Sequence, residues 1–135
     1  MESVESRLDR VQALEQGHLP QPVAMMSLLR YRATAEYPGG HPDGPCTGRE
    51  AYHRYAQGLV PLLERIGGRV LFMGQVAATI LGPEEHWDDI ILIEYKSETD
   101  FLHLIQSDGY RAVAHHRGAA LADARLLAMR PRVST

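Results

Sequence analysis

The run Ile90-Ile91-Leu92-Ile93, set between Asp89 and Glu94, constrains this chain more than any other stretch. Successive residues of a strand face opposite sides of a sheet, so four large apolar residues in a row require cover on both faces. Glu94 shares the Ile90 and Leu92 face. If that face is covered, its carboxylate needs a partner or its pKa rises. Directly after the strand, Ser97 and Asp100 form a helix-start signature, and Phe101, Leu104 and Ile105 begin a buried stripe. Ser107-Asp108-Gly109 interrupts it. Tyr110, Val113, Ala114, Arg117 and Leu121 then recur at helical spacing. Arg117 therefore lies on an apolar face, His116 borders that face, and His115 points to solvent.

The upstream chain reads as support for this unit. Val4, Leu8, Val11 and Leu14 give an amphipathic helix over residues 3–16. Gly17 stops it, and the prolines of the 18–22 linker forbid its continuation. This arm, residues 1–20, is read as packing on a partner subunit. The domain proper spans 21–131, and 132–135 form a frayed tail. Val23 to Arg32 is a near-continuous apolar strand, with Ser27, Leu29 and Tyr31 on one face and Met26, Leu28, Arg30 and Arg32 on the other. Residues 38–46 are dense in Gly and Pro and read as a flap. Thr47 and Glu50 fit a capping box. The helix they start runs to about Ile66 on a stripe that includes Tyr52, Tyr55, Leu59 and Leu63, with Pro61 bending it and Gly67 as its left-handed cap. A long strand is expected from Arg69 to Leu81, and a last one near Arg125–Met129.

This order, a leading helix and then β-α-β-β-α-β, is the split βαβ of the ferredoxin-like α+β class. Its sheet is antiparallel in the order 4-1-3-2, with both helices on one face. The strands are apolar on both faces, so the second face needs a cover. A second copy of the chain supplies it, giving a sheet-to-sheet homodimer, a dimeric α+β barrel. The 135 residues make one domain. The net charge of −3 argues against an electrostatic grip on nucleic acid or an anionic membrane. No apolar run approaches the roughly 20 residues of a membrane span. The N-terminus lacks the apolar core of a signal peptide. Cys46, the lone cysteine, cannot form an internal disulfide, which fits a reducing cytoplasm. It has no adjacent base to make it a nucleophile.

The topology gathers one rim. Arg30 and Arg32 end the first strand beside Trp87, Asp88 and Asp89. Arg49 and His53 start the first helix there, and His116 and Arg117 finish the second. A pocket between sheet and helices at this end is the default site. The competing structural reading is a salt-bridged rim that ties strands to helix ends. By its phase His53 is a surface position at the edge of the stripe, and it joins Trp87, Asp88 and Ser27 as a candidate contact.

The segments VAMMSLLRYRATAEY, GREAYHRY, IGGRVL, WDDIILIEYKS and SDGYRAVAHHRGAALADARL resemble family 1330 of the domains of unknown function, over nearly the whole chain. The resemblance implies the dimeric α+β barrel. It points to Arg30, Gly67, Gly68, Glu94, Ser97, Tyr110, His116 and Arg117, and it implies no activity. Ser27, where an Asn is expected, and Lys96, where a Pro is expected, depart from the pattern. Related barrels include cofactor-free monooxygenases, isomerases, cyclases and dehydratases, an analogy of fold alone.

The residues themselves support two readings. In the first the protein is an enzyme without metal or organic cofactor that acts next to a carbonyl or enolate. His116 is the acid or base, Arg117 and Arg30 hold the anion, Tyr110 donates a hydrogen bond, and Glu94 or an aspartate at 88–89 orients the imidazole. In the second the same residues form a rim network, or hold a metabolite, in a non-catalytic homodimer. No histidine pair has helix-ligand spacing with an acid nearby, which disfavours metal. No P-loop, dinucleotide glycine motif or serine nucleophile elbow occurs.

Overall fold

In a computed structural model, residues 2–16 and 21–132 are described. The elements are a 3-10 turn (Glu5–Arg7), α1 (Leu8–Glu15), β1 (Val23–Tyr31), α2 (Gly48–Arg65), β2 (Arg69–Gln75), β3 (Asp89–Tyr95), α3 (Glu98–Gln106), α4 (Asp108–Ala120) and β4 (Leu121–Met129). The strands form one antiparallel sheet in the order β2-β3-β1-β4, the expected ferredoxin-like topology read from the other edge. The expected helix stop at Gly17, the linker up to Pro20 and the tail from Val133 lie outside the described residues.

Local chemistry sets the helix ends. Thr47 Oγ1 accepts from the Glu50 amide at 3.0 Å while Glu50 Oε1 accepts from the Thr47 amide at 3.0 Å, a complete capping box. The helix runs through Pro61 and closes on Gly67, whose φ of 72° suits glycine. There the Gly67 amide donates to the Glu64 carbonyl and the Gly68 amide to that of Leu63, a Schellman ending. Ser107 does double duty: its hydroxyl donates to the Leu104 carbonyl at 2.7 Å and accepts from the Tyr110 amide at 3.2 Å. The expected three-residue break is thus a single residue shared by two helices.

Strand alternation divides the sheet. Val23, Met25 and Leu29 are buried beneath the helices. On the other face Met26 registers with Leu92 and Leu127, Leu28 with Ile90, and Phe72 with Leu92. No helix covers that face among the described residues, and Phe72 is 60% exposed. Under the helices, one part of the core joins Tyr55, Leu59 and Leu63 of α2 to Phe101, Leu104, Ile105 and Tyr110. The other joins Leu29 and Ile91 to Ala51, Ala120 and Leu121.

Three expectations change. β2 stops at Gln75 rather than Leu81, because β3 begins only at Asp89 and offers no partner further on. Residues 76–88 instead leave the sheet as an excursion closed at its base by Val76 N to Asp88 O, 2.9 Å, with Ile80 and Leu81 almost fully exposed. β4 starts at Leu121, four residues early, since pairing with β1 overrides the helical propensity of its alanines. The arm packs on its own chain. Val11 is buried in the chain's own core, Thr99 Oγ1 donates to Glu15 at 2.6 Å, and Arg130 donates to the Leu14 carbonyl at 2.7 Å.

Candidate functional site

The expected single site divides into three places, of which the first and the third share Asp123 and Arg125. At the rim, Asp88 accepts from the Tyr31 amide at 2.8 Å, and its own amide donates to the Leu29 carbonyl at 2.7 Å. Asp89 accepts from the Tyr31 hydroxyl at 2.7 Å and from Arg49 at 3.0 Å. The Arg49 guanidinium also lies 4.5 Å from the centre of the Tyr31 ring. On the open sheet face Arg30 and Arg125 share Asp123, at 3.4 and 2.7 Å, and flank the Trp87 ring. The Trp87 indole donates to Glu85 at 2.9 Å. These bonds match the salt-bridged rim considered above. His53 is exposed on α2 and has no hydrogen-bond partner among the described residues.

The second place is a loop contact on α4. The His116 Nδ1 lies 2.6 Å from the Tyr37 hydroxyl, which also accepts from Arg54 at 3.4 Å. His41 and His115 flank the same ring pair. Burial lowers the His116 pKa, and His115, His41 and Arg54 lower it further, so the imidazole is neutral at neutral pH. The 38–46 loop read as a flap is fastened here. Its base is held by Ala35 N to Cys46 O and by Glu36 N to Ala119 O, each 2.9 Å.

The third place is a cavity under the sheet's helix face. A small inner chamber, about 40 Å³, is lined by Ser27, Tyr52, Tyr55, Tyr110 and Arg117 among apolar neighbours. It shares Val4, Met25, Phe101, Leu126 and Arg117 with an outer cavity of about 890 Å³ between the arm and β4. Arg117 stands where the two meet. Among the described residues it has no ion pair and no hydrogen bond. The Tyr55 and Tyr110 hydroxyls lie 3.0 Å apart. Burial raises the pKa of both phenols. It also pushes Tyr52 up to about 12, with Arg117 acting against the shift. All three are neutral hydrogen-bond donors at physiological pH.

Glu94 and Arg30 also lie away from this cavity. Glu94 registers with Ala24 at the start of β1, whereas Asp89 registers with Leu29 near its end. Five residues of strand separate them, roughly 17 Å, and Glu94 is ion-paired to Arg69 at 3.0 Å. It does not orient His116. Arg30 belongs to the open face, so the thickness of the sheet separates it from Arg117. Sequence reasoning placed Tyr52 and Tyr55 on the buried stripe but not in a site. Their two hydroxyls on one helix face were the available signal. It missed Tyr37, His41 and Arg54, since loop residues carry no periodicity. Among the described residues no group of three or more His, Cys, Asp or Glu side chains is arranged to hold a metal ion, and no helix is long and apolar enough to cross a membrane.

No functionally curated protein matches the chain. Among solved structures, the RPA0582 protein of Rhodopseudomonas palustris, a protein of unknown function, is 33% identical. Its TM-score is 0.83, over 98% of this chain and 97% of that one. A methylated form of the same protein gives 34% identity and a TM-score of 0.85, over 98% and 94%. A hydroxynitrile lyase from Passiflora edulis shares the fold at 14% identity and a TM-score of 0.55, over 87% of this chain and 99% of that one. A dimeric ferredoxin-like protein of unknown function from Bacteroides fragilis does so at 11% and 0.52, over 83% and 99%. Residues 45–130 match the family described as Domain of unknown function (DUF1330), and the chain belongs to that family.

Proposed function

We propose that this protein binds a small organic anion, a carboxylate or enolate, in the cavity at Arg117, and that it works as a homodimer. One observation carries the first part. Among the described residues the Arg117 guanidinium has no ion pair or hydrogen bond, and it lines a cavity whose inner walls are mostly apolar side chains and neutral phenols. A partly buried cation without a counter-ion is costly, and an anionic ligand offsets that cost. The neutral phenols nearby suit an oxygen that carries negative charge, since they donate without bringing a charge of their own. The dimer is supported by the open sheet face, where Phe72, Leu127 and Met129 are exposed beside half-buried Met26, Leu28, Ile90 and Leu92. The Bacteroides fragilis protein of the same fold is described as dimeric.

A second reading, acid–base catalysis next to a carbonyl without a cofactor, is favoured by one contact. The His116 imidazole is neutral and lies against the Tyr37 hydroxyl, an arrangement able to take up a proton. The Passiflora lyase supports it by analogy of fold alone.

A thermal-shift screen of the full chain against small carboxylic acids, lactones and phenols tests both readings. A ligand at a hundredfold excess over its Kd stabilises by about 2.7 kcal/mol. The expected result is stabilisation by an acid that survives His116→Ala and vanishes in Arg117→Met. If no acid stabilises the wild type, or if the effect survives Arg117→Met, the binding proposal fails. Turnover of a bound acid that His116→Ala abolishes, with binding kept, establishes the catalytic reading.

A further inference from the structure

We infer that the ligand of the Arg117 cavity is an amphipathic monocarboxylate, with a medium-length alkyl or aryl-alkyl body lying between the N-terminal arm and β4. This rests on the proposal that Arg117 holds an organic anion, and it adds what the rest of the molecule is. The inner chamber of about 40 Å³ accommodates no more than a head group or a water. The outer cavity of about 890 Å³ is far larger than a small acid needs. It opens from the same guanidinium, so a carboxylate seated on Arg117 directs its body outward.

The walls met there are Val4, Val11 and Leu14 of the arm, Met25, Phe101, and Leu126 of β4. The charged groups at the outer rim are mostly paired with one another. Arg7 is held by Glu2 and Asp9, and Arg125 by Asp123. Arg10 is exposed. Among the described residues the cavity thus offers a half-buried cation without a partner, Arg117, at its inner end, apolar walls beyond it and a charged rim that includes the exposed Arg10, the complement of a carboxylate with a hydrocarbon body. The arm is anchored by the Arg130 bond to the Leu14 carbonyl and the Thr99 bond to Glu15, so it forms a wall of the site.

Isothermal titration of the full chain with butanoate, hexanoate, octanoate and decanoate, each below its micellar concentration, tests this. Each buried methylene is expected to tighten Kd about fourfold, at least as far as octanoate. Val4→Trp fills the sleeve and is expected to shorten the longest acid that still gains. A flat series, in which butanoate binds through Arg117 as tightly as octanoate, overturns the inference and leaves the anion site standing. A gain with length that persists in Arg117→Met also overturns it, because the body would then bind without its head. If no acid binds at all, both the inference and the anion site fall.

Discussion

His116 and Arg117 are neighbours in sequence, yet α4 sends them to different environments. The His116 imidazole meets the Tyr37 hydroxyl at 2.6 Å on the loop side, while Arg117 lines the cavity that holds Tyr52, Tyr55 and Tyr110. Consecutive helix residues are about 100° apart around the axis. One turn of helix therefore faces both the loop and the cavity, and mutations at the two positions are expected to separate cleanly.

Acidification should loosen the loop. The folded His116 pKa lies below the ordinary 6.5 because of burial and the neighbouring His115, His41 and Arg54. The folded state therefore binds fewer protons than the unfolded chain once pH falls below about 6.5. Stability is full above that pH and is lost as pH falls through the folded pKa. His116→Gln should flatten part of the fall in Tm between pH 7.5 and 5. An imidazole that titrates at or above 6.5 by NMR would contradict this account.

Tyr55 and Tyr110 should behave as a coupled pair. Either Tyr→Phe substitution leaves a buried hydroxyl without its partner, at a cost of about 1–3 kcal/mol. The double substitution removes both polar groups and should cost less than the two single losses combined. Denaturant melts of the four proteins supply the coupling energy. Strict additivity would mean that the two hydroxyls do not depend on each other.

Gly48→Ala should be among the most damaging small substitutions. A Cβ there would fall 2.3 Å from the Arg32 carbonyl oxygen and 2.5 Å from that of Ala120, both backbone atoms. Overpacking of this kind typically costs about 1–3 kcal/mol. The joint also carries the Gly48 amide bond to Arg32 and the Arg32 amide bond to Ala120. A melting temperature within a degree of wild type would count against the close approach.

Leu127→Asp should yield a folded monomer. Leu127 is 48% exposed on the open face, so the protomer tolerates a charge there while an apolar interface does not. Light scattering after gel filtration distinguishes the two masses. A dimer that persists unchanged would place the contact between copies on another surface.

Much of the fold could be read in advance because its signals are local. Thr47 with Glu50, Ser97 with Asp100 and Gly67 each fix a helix end through bonds within a few residues. The Ile90–Ile93 run announced a strand with two apolar faces. The bounds of β2 and β4 could not be read that way. They depend on where β3 and β1 offer partners, and the alanines after Arg117 favour helix until the pairing of β4 with β1 prevails. The candidate site was half legible. Helical phase put Arg117 and Tyr110 on the inner face. Strand alternation, already known from the sequence, was sufficient to move Arg30 to the opposite side from them. Tyr37 could not be found, because no rule of spacing links a loop residue to a helix 79 positions later.

The passage from α4 to β4 has no connecting loop: Ala120 ends the helix and Leu121 begins the strand. Three residues separate Arg117 from a strand whose register against β1 is fixed, so the direction of its guanidinium is geared to the sheet. Adding one residue in that interval would turn the helix by about 100° and give Arg117 the outlook of His116, while removing one would give His116 the outlook of Arg117. Chain-length variation among relatives should therefore be absent between Arg117 and Leu121, and should collect instead in the 38–46 loop and the 76–88 excursion, where the chain has room to absorb it.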